Sequence, residues 1–168
     1  MVAAIIALSA FTVGSSISWK VAEGHSIAFS SKDPSGVFTE LNGDIVFDPA
    51  DLSSASFDMS IPVSSINTGN GMKNKHAVGK KWFEADLYPN ITFKSESFSK
   101  TDTGYEVTGT LQLHGISKEY TLPFTFENNT FKSSFSVNRT DFNLGATKGM
   151  SGKVPLELAM DLVVPVTQ

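Results

Sequence analysis

Three histidines are the first residues to test for chemistry in this chain. His25 opens an alternating run, His76 sits in a stretch without a two-residue period, and His114 precedes a glycine at a turn signal. No two stand at the i, i+2 or i, i+4 spacing that brings imidazoles onto one ion, and no carboxylate cluster accompanies them. Hydrogen bonds to loop backbone or to neighbouring side chains are the expectation for all three. Serine chemistry has no better foothold. The chain lacks a Gly-x-Ser-x-Gly elbow, and Ser64-Ser65 has no base in view. Asp44, Asp48, Asp58 and Asp161 read as solvated carboxylates, because paired acid/base work needs two of them converging in a pocket. There is no cysteine, which removes disulfides, thiolate metal sites and sulfur nucleophiles together. The expectation is a protein with no catalytic residue, no metal site and no cofactor.

Charge narrows the partners. Thirteen basic residues stand against seventeen acidic ones, a net charge of −4, and the basic residues are scattered, with only short pairs such as Lys80-Lys81. A nucleic-acid binder needs a basic stripe to neutralise phosphates, so no nucleic-acid partner is expected. What stands out instead is apolar bulk. Thirteen Phe against two Trp and three Tyr suits a surface with nothing to hydrogen-bond.

The elements that carry this bulk follow from one pattern. After Ser16 apolar and polar residues alternate, which on a strand puts one greasy and one wet face back to back. Ile17, Trp19 and Val21 begin it, Ile27 and Phe29 follow, then Val37, Leu41, Ile45 and Phe47. Ala55, Phe57, Met59, Ile61 and Val63 alternate without a break. Ile91 and Phe93 share a face and Phe98 falls out of phase, which predicts a bulge near Ser95. Tyr105 to Leu113, Tyr120 to Phe126, Phe131 to Val137 and Val154 to Val164 complete the series, separated by turn signals such as Asn42-Gly43, His114-Gly115 and Asn128-Asn129. Only Asn70 to Lys81, followed by Trp82-Phe83, breaks the period, and a short helical or irregular insertion is expected there. Trp82 and Phe83 are expected to close one end of the domain rather than to touch a ligand.

About eight antiparallel strands, each apolar on one face, must bury those faces in a closed barrel or a two-sheet sandwich. Periodicity leaves both open, and it leaves open whether a barrel is filled by side chains or hollow. Residues 16–168 read as one domain. Residues 1–15 read as a signal-peptide remnant: the apolar run MVAAIIALSAF is too short to span a bilayer, and Ala7 to Ala10 look like a small-residue cleavage site. A buried first strand is the alternative reading of that run.

Several segments, in order, resemble the YceI-like family, the polyisoprenoid-binding proteins of bacteria. They are Trp19-Lys20-Val21, His25 to Phe29, Gly43 to Pro49, Ser65 to Asn70, Lys75-His76, Trp82-Phe83 and Tyr88 to Ser95. Val107 to Lys118 resembles the family's most recognisable strand and turn, and the likeness extends from Ser16 to the C-terminus. The resemblance implies an all-β, closed antiparallel β-barrel of about eight strands, lipocalin-like, with one short helical insertion. It also implies a periplasmic or otherwise extracytoplasmic location and an apolar tunnel for an isoprenoid, an isoprenoid quinone or a similar long chain. The expected lining is Phe29, Phe57, Met59, Ile61, Phe93, Leu111, Leu113, Leu122, Phe124, Phe126, Phe135, Leu158, Met160 and Leu162. The expected partner is an apolar lipid that is sequestered or carried, without stable insertion into a membrane. The rival reading is a barrel filled by its own side chains that acts as an interaction module. Nothing in the sequence sets the oligomeric state, a homodimer being one option.

Overall fold

A computed structural model of the protein describes residues 16–168, so the reading of residues 1–15 lies outside the described residues. Six short strands come first: β1 (Ser18–Val21), β2 (Ser26–Ser30), β3 (Gly36–Phe38), β4 (Asn42–Val46), β5 (Ser56–Pro62) and β6 (Ile66–Asn67). Helix α1 (Gly71–Val78) follows, and then four long strands in a meander, β7 (Asn90–Thr101), β8 (Gly104–Leu113), β9 (Ile116–Glu127) and β10 (Thr130–Asn138). The last strand is β11 (Glu157–Thr167).

The six short strands are three bent ones. β1 and β2 both lie along β11, with Lys20 opposite Thr167 and Ile27 opposite Leu162, and residues 22–25 bulge between them. Gly24 sits in that bulge at φ +86°, a conformation that side chains rarely adopt. In the same way β4 pairs with β1 and β3 with β2, and β5 pairs with β4 and β6 with β3. With β7 to β11 this makes eight antiparallel strands, and the pairing of β1 with β11 closes them into a barrel. Closure removes the free sheet edges that a sandwich would have left.

The expected bulge is present: the β7–β8 register shifts between Ser95 and Ser97, which turns Phe98 back inward. Ser95 Oγ then accepts from Phe57 N at 2.8 Å. The helix is shorter than the aperiodic stretch, because the Asn70 side chain caps Met72 N and Lys73 N and the helix stops at Gly79. Val154 to Leu156, expected to begin the last strand, stay outside it. Pro155 lacks a ladder donor, a single 3₁₀ turn occupies Ser151–Lys153, and Leu156 is exposed.

The barrel has a solid end and a hollow end. At the solid end Phe47 is fully buried, with the rings of Phe57, Phe98, Tyr105, Phe124, Phe126 and Phe131 at 5.2–6.4 Å between centroids. Trp19 Nε1 donates to Phe47 O at 2.8 Å, so the buried indole keeps its hydrogen bond. A smaller cluster of Leu113, Val137, Phe142 and Leu144 lies under the loops of the opposite end.

Candidate functional site

Above the aromatic plug the strands enclose a cavity of about 400 Å³. That lies within the range of about 300–1,000 Å³ common for small-molecule sites. Phe57, Phe124 and Phe131 form its floor, and its wall comes from alternate residues of the strands, including Phe29, Met59, Ile61, Phe93, Leu122, Phe135 and Met160. Most of these wall side chains are only partly buried although they point inward, because the interior facing them holds no side chain of the described residues. In a filled core of native density such side chains lose nearly all their exposure. The described residues therefore form a hollow barrel.

Thirteen of the fourteen residues expected to line the interior do line this cavity. Phe126 is the exception: it packs edge-on against Trp19 and tilted on Phe131, inside the plug below the floor. Several wall residues escaped the sequence reading as lining, among them Ile27, Phe38, Ile45 and Ile66. Ile27 and Ile45 share the alternating apolar face of Phe29 and Phe47, whereas in β3 it is Phe38 that turns inward and not the expected Val37. Trp82 and Phe83, expected to stay clear of a ligand, line the cavity at its rim.

The hollow end is rimmed by three connections. The β2–β3 loop gives Asp33 and Pro34, the α1 region gives Thr68, Lys73, His76, Trp82 and Phe83, and the β10–β11 connection gives Leu144 and Val154. Lys73 Nζ meets Asp33 Oδ1 at 2.6 Å across the mouth, with both side chains well exposed. Such a pair contributes little stability, about 0–1 kcal/mol, and can part readily.

Arg139 organises the rim from below. It is fully buried with no carboxylate beside it, and it donates only to backbone carbonyls. Nε reaches Pro155 O, Nη1 reaches Leu144 O and Gly145 O, and Nη2 reaches Ala146 O, Ser151 O and Val154 O, at 2.7–3.4 Å. Burial pushes its guanidinium below its ordinary value, yet an arginine stays charged in a protein. Its guanidinium carbon lies 5.5 Å from the Trp82 ring centroid, a cation–π contact. Gly145 lies against the same ring at φ +66°, and a Cβ there would meet it at 2.7 Å. One cation thus holds the loop of residues 144–155 and the post-helix segment together. No periodicity argument finds this residue, because its partners are carbonyls.

A second departure lies in the wall. β9 and β10 pair only over Thr130–Lys132, whereas β10 pairs with β11 along its whole length. Pro123 O accepts from Ser133 Oγ at 2.6 Å, so the polar edge of Pro123 faces β10, and proline has no N–H to offer there. The ladder stops, and Lys132 and Ser133, next to this seam, line the cavity.

The histidines lie apart. His25 Nδ1 is 3.4 Å from Ala22 O, His114 Nδ1 is 3.0 Å from Phe142 O, and His76 is exposed at the rim. Among the described residues no three His, Asp or Glu side chains are grouped so as to hold a metal ion.

Comparison with known proteins places this geometry. The YceI-like domain matches residues 12–162. A UPF0312 protein of Yersinia pestis is 28% identical over 137 residues, 75% of this chain and 71% of that one. The crystal structure of Burkholderia cenocepacia BcnA superposes with a TM-score of 0.80 at 29% identity, over 89% of this chain and all of that one. A polyisoprenoid-binding domain from Saccharophagus degradans superposes with a TM-score of 0.59 over 88% of this chain and 91% of that one. At 17% identity that likeness extends to the fold alone. A domain match over most of the chain, carried by the same closed barrel, makes this protein a member of the YceI-like family.

Proposed function

We propose that this protein is a non-catalytic lipid carrier that holds one long apolar chain, of the isoprenoid or isoprenoid-quinone class, inside the barrel. The observation that carries this reading is the cavity of about 400 Å³ with an aromatic floor and an apolar wall. Moving a methylene from water into such a space is worth about 0.8 kcal/mol, so a chain of several carbons binds through area alone. The mouth among charged loops suits a ligand with an apolar tail and a polar head, the head resting near Thr68, Lys73 and His76. The isoprenoid class is supported by the shared fold of the S. degradans domain and by membership of the YceI-like family.

Organic extraction and mass spectrometry of protein purified from its native host test this reading. A prenyl chain in near one-to-one ratio is the expected result. Repeated absence of any lipid, with no uptake of a hydrophobic dye by the extracted protein, overturns it. The reading also places the protein outside the cytoplasm, on the strength of the apolar run in residues 1–15. N-terminal sequencing of the product of the full-length gene checks that: a start near Phe11 supports it, and an intact Met1 removes it.

A further inference from the structure

Five large apolar side chains are exposed among the described residues: Met72, Leu87, Met150, Leu156 and Val163. Val163 lies in β11 on the barrel wall. The other four belong to the connections that surround the hollow end, with Met72 70% and Met150 77% exposed. Met72 stands at the start of α1 and Met150 in the β10–β11 connection, so both of these rim connections carry an exposed apolar tip.

Charge segregates onto the same end. Leaving out the buried Arg139, residues 31–35, 68–89 and 139–156 contain seven basic residues, all exposed, and four acidic ones, whereas the rest of the chain has five basic and thirteen acidic. Lys73, Lys75, Lys80 and Lys81 stand on or after α1, and Lys148 and Lys153 flank Met150. Among the described residues, an acidic protein thus gathers most of its basic residues where its cavity opens and where its apolar tips stand out.

We propose that the rim of the hollow end is a docking surface for an anionic phospholipid bilayer. Met72, Leu87, Met150 and Leu156 would enter the headgroup layer, and the flanking lysines would meet lipid phosphates. The chemistry on the page matches what such a surface recognises: basic residues around apolar tips, with the acidic barrel facing away from the lipid. Docked in this way, the cavity mouth faces the bilayer, so an apolar chain can pass between the two without crossing water. The purpose of docking rests on the lipid-carrier reading, but adhesion to the bilayer does not.

The test is co-sedimentation of the whole protein with phosphatidylcholine vesicles, with and without about one third phosphatidylglycerol. Binding is expected only to the anionic vesicles, falling steeply as salt rises from about 0.05 to about 0.5 M. Lys80→Glu/Lys81→Glu should weaken the partition by about twenty-fold or more, each lysine near an anionic surface being worth a factor of about five. Lys94→Glu/Lys100→Glu, in β7, should leave it unchanged. Met72→Ser/Met150→Ser should weaken the binding that survives high salt. None of these residues lines the cavity, so dye uptake from detergent should match the parent in every variant. Absence of binding to anionic vesicles, or equal loss in the β7 variant, overturns the docking surface while normal dye uptake keeps the carrier reading. Vesicle binding without dye uptake does the reverse. A concentration-dependent dimer abolished by Met72→Ser/Met150→Ser, with no vesicle binding, would assign the face to a second copy and also overturn the proposal.

Discussion

Arg139 and Phe47 hold opposite ends of the molecule by different physics. Arg139 gathers six carbonyls from a connection that has no strand of its own. Removing the donor leaves those oxygens partly orphaned and the loop without a centre. Arg139→Met should lower stability in urea by about 3 kcal/mol or more, hydrogen bonds to a charged group being worth about 1.5–3 kcal/mol each. Trypsin should then cut first at Lys148, in the freed loop. Arg139→Lys should not rescue either readout, because an ammonium offers three donors where the guanidinium fork offers five. Phe47 works through area and fit alone. Phe47→Ala should cost about 3–5 kcal/mol, since the surrounding rings cannot collapse into the space left. Met160, half-buried on the cavity wall, gives the contrasting case. Overpacking a filled core costs about 1–3 kcal/mol, but Met160→Trp extends into empty space. Its lipid-free melting temperature should stay within a few degrees of the parent, while lipid uptake falls. A large loss of lipid-free stability would mean that the wall has no room.

At the scale of elements, the seam between β9 and β10 is set by one residue. Pro123 withholds an N–H on the β10 side, and the two strands separate beyond Lys132. Pro123→Val restores the donor in a strand whose other partner, β8, is already fully paired. The ladder should then lengthen toward Ser134, seen as slower amide exchange in Ser134 to Ser136. If the seam also serves as a path to the cavity, dye uptake slows several-fold in the same variant. Unchanged exchange would show that something other than proline holds the strands apart. The bent strands are read in the same terms. β1 and β2 are one alternating run broken by a bulge at Gly24, which lets a single length of chain pair with β4 below and β3 above.

For the molecule as a whole, a hollow barrel lacks part of the core that its length could supply, and an occupant supplies the missing contacts. A ligand present at about 100 times its Kd adds about 2.7 kcal/mol to stability. In a domain of this size that is about 5–10 °C in Tm. Protein stripped of lipid by organic extraction and refolded should therefore melt lower by about that amount and recover on reloading with a prenyl alcohol. Equal melting temperatures would mean that the added chain does not enter the barrel. Charge also acts at this scale: the basic residues look scattered along the chain, yet folding collects most of them at one end.

The two-residue period by itself determined most of the strands and inward faces, the bulge near Ser95 and the place of the helix, because alternation and turn chemistry act over a few residues. The same period put Val37 inward in place of Phe38 and began the last strand at Val154, and both were wrong. Thirteen of the residues that line the cavity were legible from that period, since a wall residue needs only to be apolar and in phase. Phe126 was in phase too, and only the tertiary structure put it in the plug, because height along a barrel depends on the stagger of neighbouring strands. Hollow against filled was likewise a tertiary decision. It turns on the volume left between eight strands, and the same thirteen Phe could have filled it. The rim was least legible of all. Arg139 meets carbonyls and Pro123 acts by withholding a donor, and these effects depend on which strand or loop lies opposite, which long-range pairing alone decides.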